Sequence, residues 1–192
     1  MFSKVSIHRA KDPIADFFQK EIEKETIQSE RYRLLLLVVA FSLIGTGFTL
    51  GPTLFHRQFA ALLGPQAGEF QIWSALIFFG FSLYCAGARF AFGWFGRKDR
   101  ALPLLARYAN ALVETSAPTV IMALFTVFID PKVMALYTPA PFAYALFIVL
   151  SALRLDPKLC LFTGFVAGIE YGAFGLYCFS QPDAGKMAQF FI

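Results

Sequence analysis

Five stretches of this sequence carry only three charged side chains between them: Arg89, Glu114 and Glu170. They run about Leu34–Phe55, Phe70–Phe95, Tyr108–Ile129, Pro139–Leu153 and Leu159–Phe179. A helix that crosses the ~30 Å hydrocarbon core of a bilayer needs about 20 mostly apolar residues. The fourth stretch is short for that unless Val133–Tyr137 also enters the interface. The pieces between them hold helix breakers and charges: Gly51-Pro52, Gly64-Pro65, Gly96–Arg100, Asp130-Pro131 and Asp156-Pro157. These read as loops. Composition agrees: 57% of residues are hydrophobic and 16% charged, against roughly 45–50% and 25% in a soluble domain. A soluble globular enzyme, a disordered tail and a secreted disulfide scaffold are excluded. The expected fold class is all-α, a polytopic transmembrane helix bundle of five spans plus the start of a sixth.

Two regions follow from the same pattern. Residues 1–33 are polar and form a cytoplasmic N-terminal segment, and residues 34–192 form the transmembrane domain. No short apolar stretch before a small-residue cleavage site opens the chain, so the first span acts as an uncleaved anchor. Asp12-Pro13 is expected to cap an amphipathic helix running to Arg33, with Ile14, Phe17, Phe18 and Ile22 at helical spacing. Thr53–Leu63 reads as a second amphipathic stretch, resting on the outer surface. Pro103 is placed to open a helix leading into the third span. The final residues, Ala184–Ile192, turn apolar again and read as the start of the sixth span, through which the polypeptide is expected to continue to the cytoplasm.

Orientation comes from the basic residues. Lys4, Arg9, Lys11, Lys20, Lys24, Arg31 and Arg33 precede the first span. Arg89, Arg97, Lys98, Arg100 and Arg107 lie around the second-to-third connection, and Arg154 and Lys158 at the fourth-to-fifth turn. Only Arg57, Lys132 and Lys186 fall in the alternate segments. This asymmetry predicts an inner (plasma) membrane protein with a cytoplasmic N-terminus. The net charge of +4 is modest and does not suggest nucleic acid.

Chemistry is sparse. Glu170 lies near the middle of the fifth span, followed by Tyr171, where an acid must be protonated or partnered. Arg107, Asn110 and Glu114 share one helix face in the third span, followed by Thr115, Ser116 and the helix-interrupting Pro118. Arg89 can turn inward or extend to the headgroups. A network of Arg89 or Arg107 with Glu114 and Glu170 would serve as a ligand pocket or protonation switch, or simply as polar glue between helices. Gly164, Gly168 and Gly172 recur every fourth residue and suggest close helix packing, within the chain or in a dimer. Cys85, Cys160 and Cys178 read as small packing residues. With only His8 and His56 in the chain, the usual haem or zinc site has no ligands. No Walker loop, GxSxG, HExxH or paired-cysteine motif occurs.

Arg107-Tyr108-Ala109-Asn110, Glu114-Thr115-Ser116 and Pro118 are followed by Leu153-Arg154-Leu155-Asp156, by Lys158-Leu159-Cys160-Leu161-Phe162-Thr163-Gly164 and by Ile169-Glu170-Tyr171. This order resembles the N-terminal membrane domain of bacterial class III adenylate/guanylate cyclases, over about residues 104–178. The resemblance implies a six-span regulatory domain preceding a cytoplasmic catalytic domain. That domain works as a dimer with Mg or Mn ions and ATP or GTP. No catalytic residue and no cofactor is carried over to this sequence, which departs from the family by ending before a catalytic domain. Arg107, Asn110, Glu114, Arg154, Asp156, Thr163 and Glu170 become candidates for sensing or coupling. The expected partners are membrane lipids, a second copy in a homodimer, and a lipid or small apolar ligand. Two rival readings stand beside this one: a small proton- or cation-linked transporter or channel using Glu114 and Glu170, and a lipid- or quinone-facing accessory subunit.

Overall fold

The computed structural model describes residues 13–55, 57, 63–97, 103–130, 132–153 and 156–181, almost all of them helical and none in a strand. Helix α1 covers Pro13–Leu54. Residues 14–44 contain neither glycine nor proline, so nothing interrupts the backbone where the sequence turns from polar to apolar. The separate amphipathic helix expected to end at Arg33 and the span expected from Leu34 are one element. At 1.5 Å per residue it is about 63 Å long, roughly twice the hydrocarbon thickness. Its capping by Asp12 lies outside the described residues, as do most of the Thr53–Leu63 stretch and the apolar Ala184–Ile192.

Helix α2, Ala67–Arg97, runs antiparallel to α1 and makes the broadest packing in the fold. The direction follows from contacts at two levels. Around the middle of α1, Arg31 meets Gly93 and Ile27 meets Gly96; further along it, Gly45 meets Phe78. A Cβ on Gly45 would lie 3.1 Å from that of Phe78, so the two backbones approach closely there and a methyl group would press on Phe78. Ser42 and Ser82 share a 2.8 Å hydrogen bond across the same seam. Aromatic rings fill the rest. Phe48 stacks on Phe78 at 5.1 Å, Phe41 on Phe81 at 5.4 Å, and Phe70 meets Phe125 and Phe128 at 5.5 Å each.

Helices α3 (Leu104–Thr115) and α4 (Ala117–Phe128) follow one another with a joint at Ser116. As expected, α3 begins directly after Pro103. Pro118 in the first turn of α4 has no N–H to return to the carbonyl one turn back, which places the joint. A 3-10 helix, Lys132–Tyr137, leads to α5 (Ala140–Ala152) and then α6 (Pro157–Phe179). Among the described residues, four helical segments are long and apolar enough to cross a membrane: Lys24–Leu54, Gly64–Arg97, Leu104–Phe128 and Pro157–Phe179. The 13-residue α5 is not; alone it spans about 20 Å.

Several links gather helix ends together. The Ser29 hydroxyl donates to the Leu153 carbonyl beyond α5. Arg107, in α3, pairs with Asp156 at the start of α6. The part of α1 around Ile27–Arg31 and the beginnings of α3 and α6 therefore meet the ends of α2 and α5. The most basic segments of the sequence adjoin these elements.

Candidate functional site

Two polar clusters flank the Ser116 joint. The first is centred on Arg33, which is 1% exposed. Its Nε and Nη2 donate to Glu30 Oε2 at 3.2 and 2.5 Å, one turn back on α1. Its Nη2 also donates to Glu114 Oε1 at 3.1 Å, and Nη1 donates to Glu114 Oε2. The guanidinium thus sits between two buried carboxylates with four hydrogen bonds satisfied. Asn110 Nδ2 donates to Glu114 Oε1 at 2.6 Å, and the Tyr84 hydroxyl donates to Asn110 Oδ1 at 3.1 Å. The chain of contacts ties α1, α2 and α3 together.

The second cluster surrounds Glu170 on α6. Ser116 Oγ donates to its Oε1 at 2.6 Å and Thr119 to its Oε2. Thr119 Oγ1 lies 2.5 Å from the Tyr144 hydroxyl. Thr119 has one hydroxyl hydrogen, so when it donates to Glu170, Tyr144 donates to Thr119. The Tyr144 ring meets the Tyr171 ring at 5.9 Å. Among the described residues no lysine or arginine forms an ion pair with Glu170.

These contacts correct the expected network. Arg89 and Arg107 do not join Glu114 and Glu170. Glu114 is taken by Arg33, and Glu170 is held by hydroxyls. Arg107 pairs instead with Asp156 at 3.1 Å, at a partly exposed site. Asp156 also accepts from the backbone N–H of Lys158 at 3.0 Å and Leu159 at 3.3 Å as the N-cap of α6. The face shared by Arg107, Asn110 and Glu114 therefore splits, its two inner members buried and the outer one at the rim. Arg154 lies outside the described residues. Thr163 is buried and bonds back to the Leu159 carbonyl at 2.9 Å within its own helix.

The glycine expectation also changes. A Cβ added at Gly164, Gly168 or Gly172 would meet nothing beyond its own helix within 4 Å among the described residues. These three do not pack described helices together. The close approaches belong to Gly45, Gly93 and Gly96 on the α1–α2 seam.

Arg33 and Glu30, with Tyr84, Thr119 and Tyr144, are the site residues that reading the sequence missed. A charged residue next to four leucines was assigned to the solvated segment. The signal was nonetheless present: Glu30, Arg33, Leu34, Leu37 and Phe41 recur at helical spacing, and all five are buried. Among the described residues no group of three His, Cys, Asp or Glu side chains is placed to hold a metal ion. Comparison with protein-family models, with curated proteins and with solved structures finds no match.

Proposed function

We propose that this chain is a membrane-embedded regulatory domain of a class III cyclase-like signalling receptor, with its N-terminus in the cytoplasm and five spans. Helix α1 carries the coupling. It runs unbroken from outside the apolar layer into the bundle, and the Glu30–Arg33–Glu114 clamp fixes it against α3 just before the Ser116 joint. That clamp is the observation on which the reading stands. Buried ion groups are costly to desolvate and are best attested as devices that set register or switch between packings. A ligand or lipid change acts on such a domain only by favouring one packing over another. The clustering of basic segments at one end of the bundle supports the orientation. The cyclase assignment itself rests on the resemblance over residues 104–178.

The test is expression of the source reading frame in cells lacking cyclases of their own. Cyclic-nucleotide formation is expected, and Glu114→Gln should change it several-fold at equal protein level. No cyclic nucleotide from the parent would remove the cyclase assignment. Unchanged output in the variant would remove the coupling role.

A second reading, proton- or cation-linked transport, is favoured by one feature: the Tyr144–Thr119–Glu170 hydroxyl chain beside a helix joint. Reconstituted vesicles distinguish it. A pH-dependent flux lost in Glu170→Gln would support transport, and absence of flux in the parent would exclude it.

A further inference from the structure

The geometry points to a binding site for the phosphate of an anionic phospholipid on the α1–α2 seam, built by Arg31 and Arg89 around Gly93. The inference rests on the membrane reading above and is independent of whether the domain signals or transports. Gly93 has no side chain, and the Arg31 guanidinium lies against it. A Cβ there would be 3.3 Å from Arg31 Nε and 3.5 Å from Cζ. Arg89 precedes Gly93 by one helical turn, on the same face of α2. Its Nε is buried and has no hydrogen-bond partner. Neither Arg31 nor Arg89 has an ion-pair partner among the described residues. The carboxylates of Glu30 and Glu114 grip Arg33 instead. Two cations without ion-pair partners on the same stretch of the seam repel one another, and an anion between them removes that repulsion.

Their level in the fold selects the anion. Residues 70–88 of α2 carry no charge, and those 19 residues rise about 28 Å, the thickness of the hydrocarbon layer. Arg89 is the first charge beyond them. Trp73 and Trp94, both exposed, stand about 31 Å apart along the same helix. That spacing suits the two aromatic belts of a bilayer. Arg31 and Arg89 therefore lie at the headgroup level beside Trp94. The planar guanidinium fork matches phosphate oxygens, and two cations together favour a headgroup with net negative charge.

The test uses the full chain in nanodiscs of phosphatidylcholine, with or without a minor fraction of phosphatidylglycerol, and counts retained lipid by native mass spectrometry. The parent should retain phosphatidylglycerol preferentially, and retention should fall about fivefold for each arginine lost. Arg31→Gln changes an exposed side chain. Arg89→Lys keeps the charge while losing the fork, and should weaken retention less than Arg89→Gln. Unfolding midpoints in pure phosphatidylcholine are expected to match the parent, so that lost retention reflects the site rather than the fold. Should Arg89→Gln not fold, Arg31→Gln gives the answer alone. Equal phosphatidylglycerol retention by parent and variants would overturn the proposal. So would equal retention of inorganic phosphate by the parent in pure phosphatidylcholine, lost with the same arginines, since the source would then be free phosphate. A chain that does not enter nanodiscs would contradict the membrane reading instead.

Discussion

Arg33 on α1 and Glu114 on α3, 81 positions apart in the sequence, hold one another through two guanidinium–carboxylate hydrogen bonds inside the bundle. With Glu30 they make a buried group in which each member depends on the others. Breaking a buried pair by removing one partner typically costs about 3–5 kcal/mol. Arg33→Met and Glu114→Met should each destabilise by about that amount. Converting Glu30, Arg33 and Glu114 together to apolar residues should recover most of the loss. Thermal unfolding in one detergent measures all three. A simple sum of the single costs in the triple variant would contradict the coupling.

The glycines separate by what a methyl group would meet. Gly45→Ala drives a Cβ to 3.1 Å from the Phe78 Cβ, and such overpacking costs about 1–3 kcal/mol. Gly168→Ala enters open space and should stay within about 0.5 kcal/mol of the parent. Unfolding midpoints of the two variants give the comparison. Equal losses would mean that the α1–α2 seam is not the close contact described.

Around Glu170 the hydroxyls are not equivalent. Thr119→Val strips one donor from the carboxyl and one acceptor from Tyr144, a loss of about 1–3 kcal/mol for buried polar groups left unpaired. Tyr144→Phe removes only the outer link and should cost about 1 kcal/mol. Chemical unfolding of both variants tests the order. A larger loss in Tyr144→Phe would reverse the assigned direction of the chain.

Asp156 serves two partners. Asp156→Asn keeps an N-cap for α6 but loses the charge that Arg107 meets, a partly exposed pair worth about 0–1 kcal/mol. Asp156→Ala loses both, adding about 0.5–2 kcal/mol for the cap. The gap between the two variants in thermal unfolding is the measure. Identical midpoints would remove the capping role.

The helical architecture was legible because uncharged stretches of bilayer length have few other uses. Asp130 and Asp156 marked breaks between helices and Pro118 the joint in the third span, whereas Gly51-Pro52, expected as a loop, lies within α1 and Gly64-Pro65 within a 3-10 turn. The polar clusters were only half legible. Spacing alone put Asn110 and Glu114 on one face, and a mid-span carboxyl at Glu170 demanded a partner. Which partner depends on which helices touch, and periodicity within one helix carries no such information. Arg33 was misjudged because a positive charge beside an apolar run ordinarily marks the water side. Here Glu30 and Glu114 neutralise it, and the helix continues inward without a break. For the glycines of α6 the within-chain alternative fails, because small-residue spacing permits close packing without requiring a partner in the same chain.

Spin-label distance measurement between Ile22 on α1 and Leu161 on α6, both exposed, tests the clamp most directly. The labelled chain carries replacements at Cys85, Cys160 and Cys178, its three native cysteines. With Glu114 in place a single narrow distance distribution is expected, and Glu114→Gln should shift or broaden it as α1 loses its register against α3. The same narrow distribution in both proteins would contradict the claim that the buried Arg33–Glu114 pair holds α1 in place.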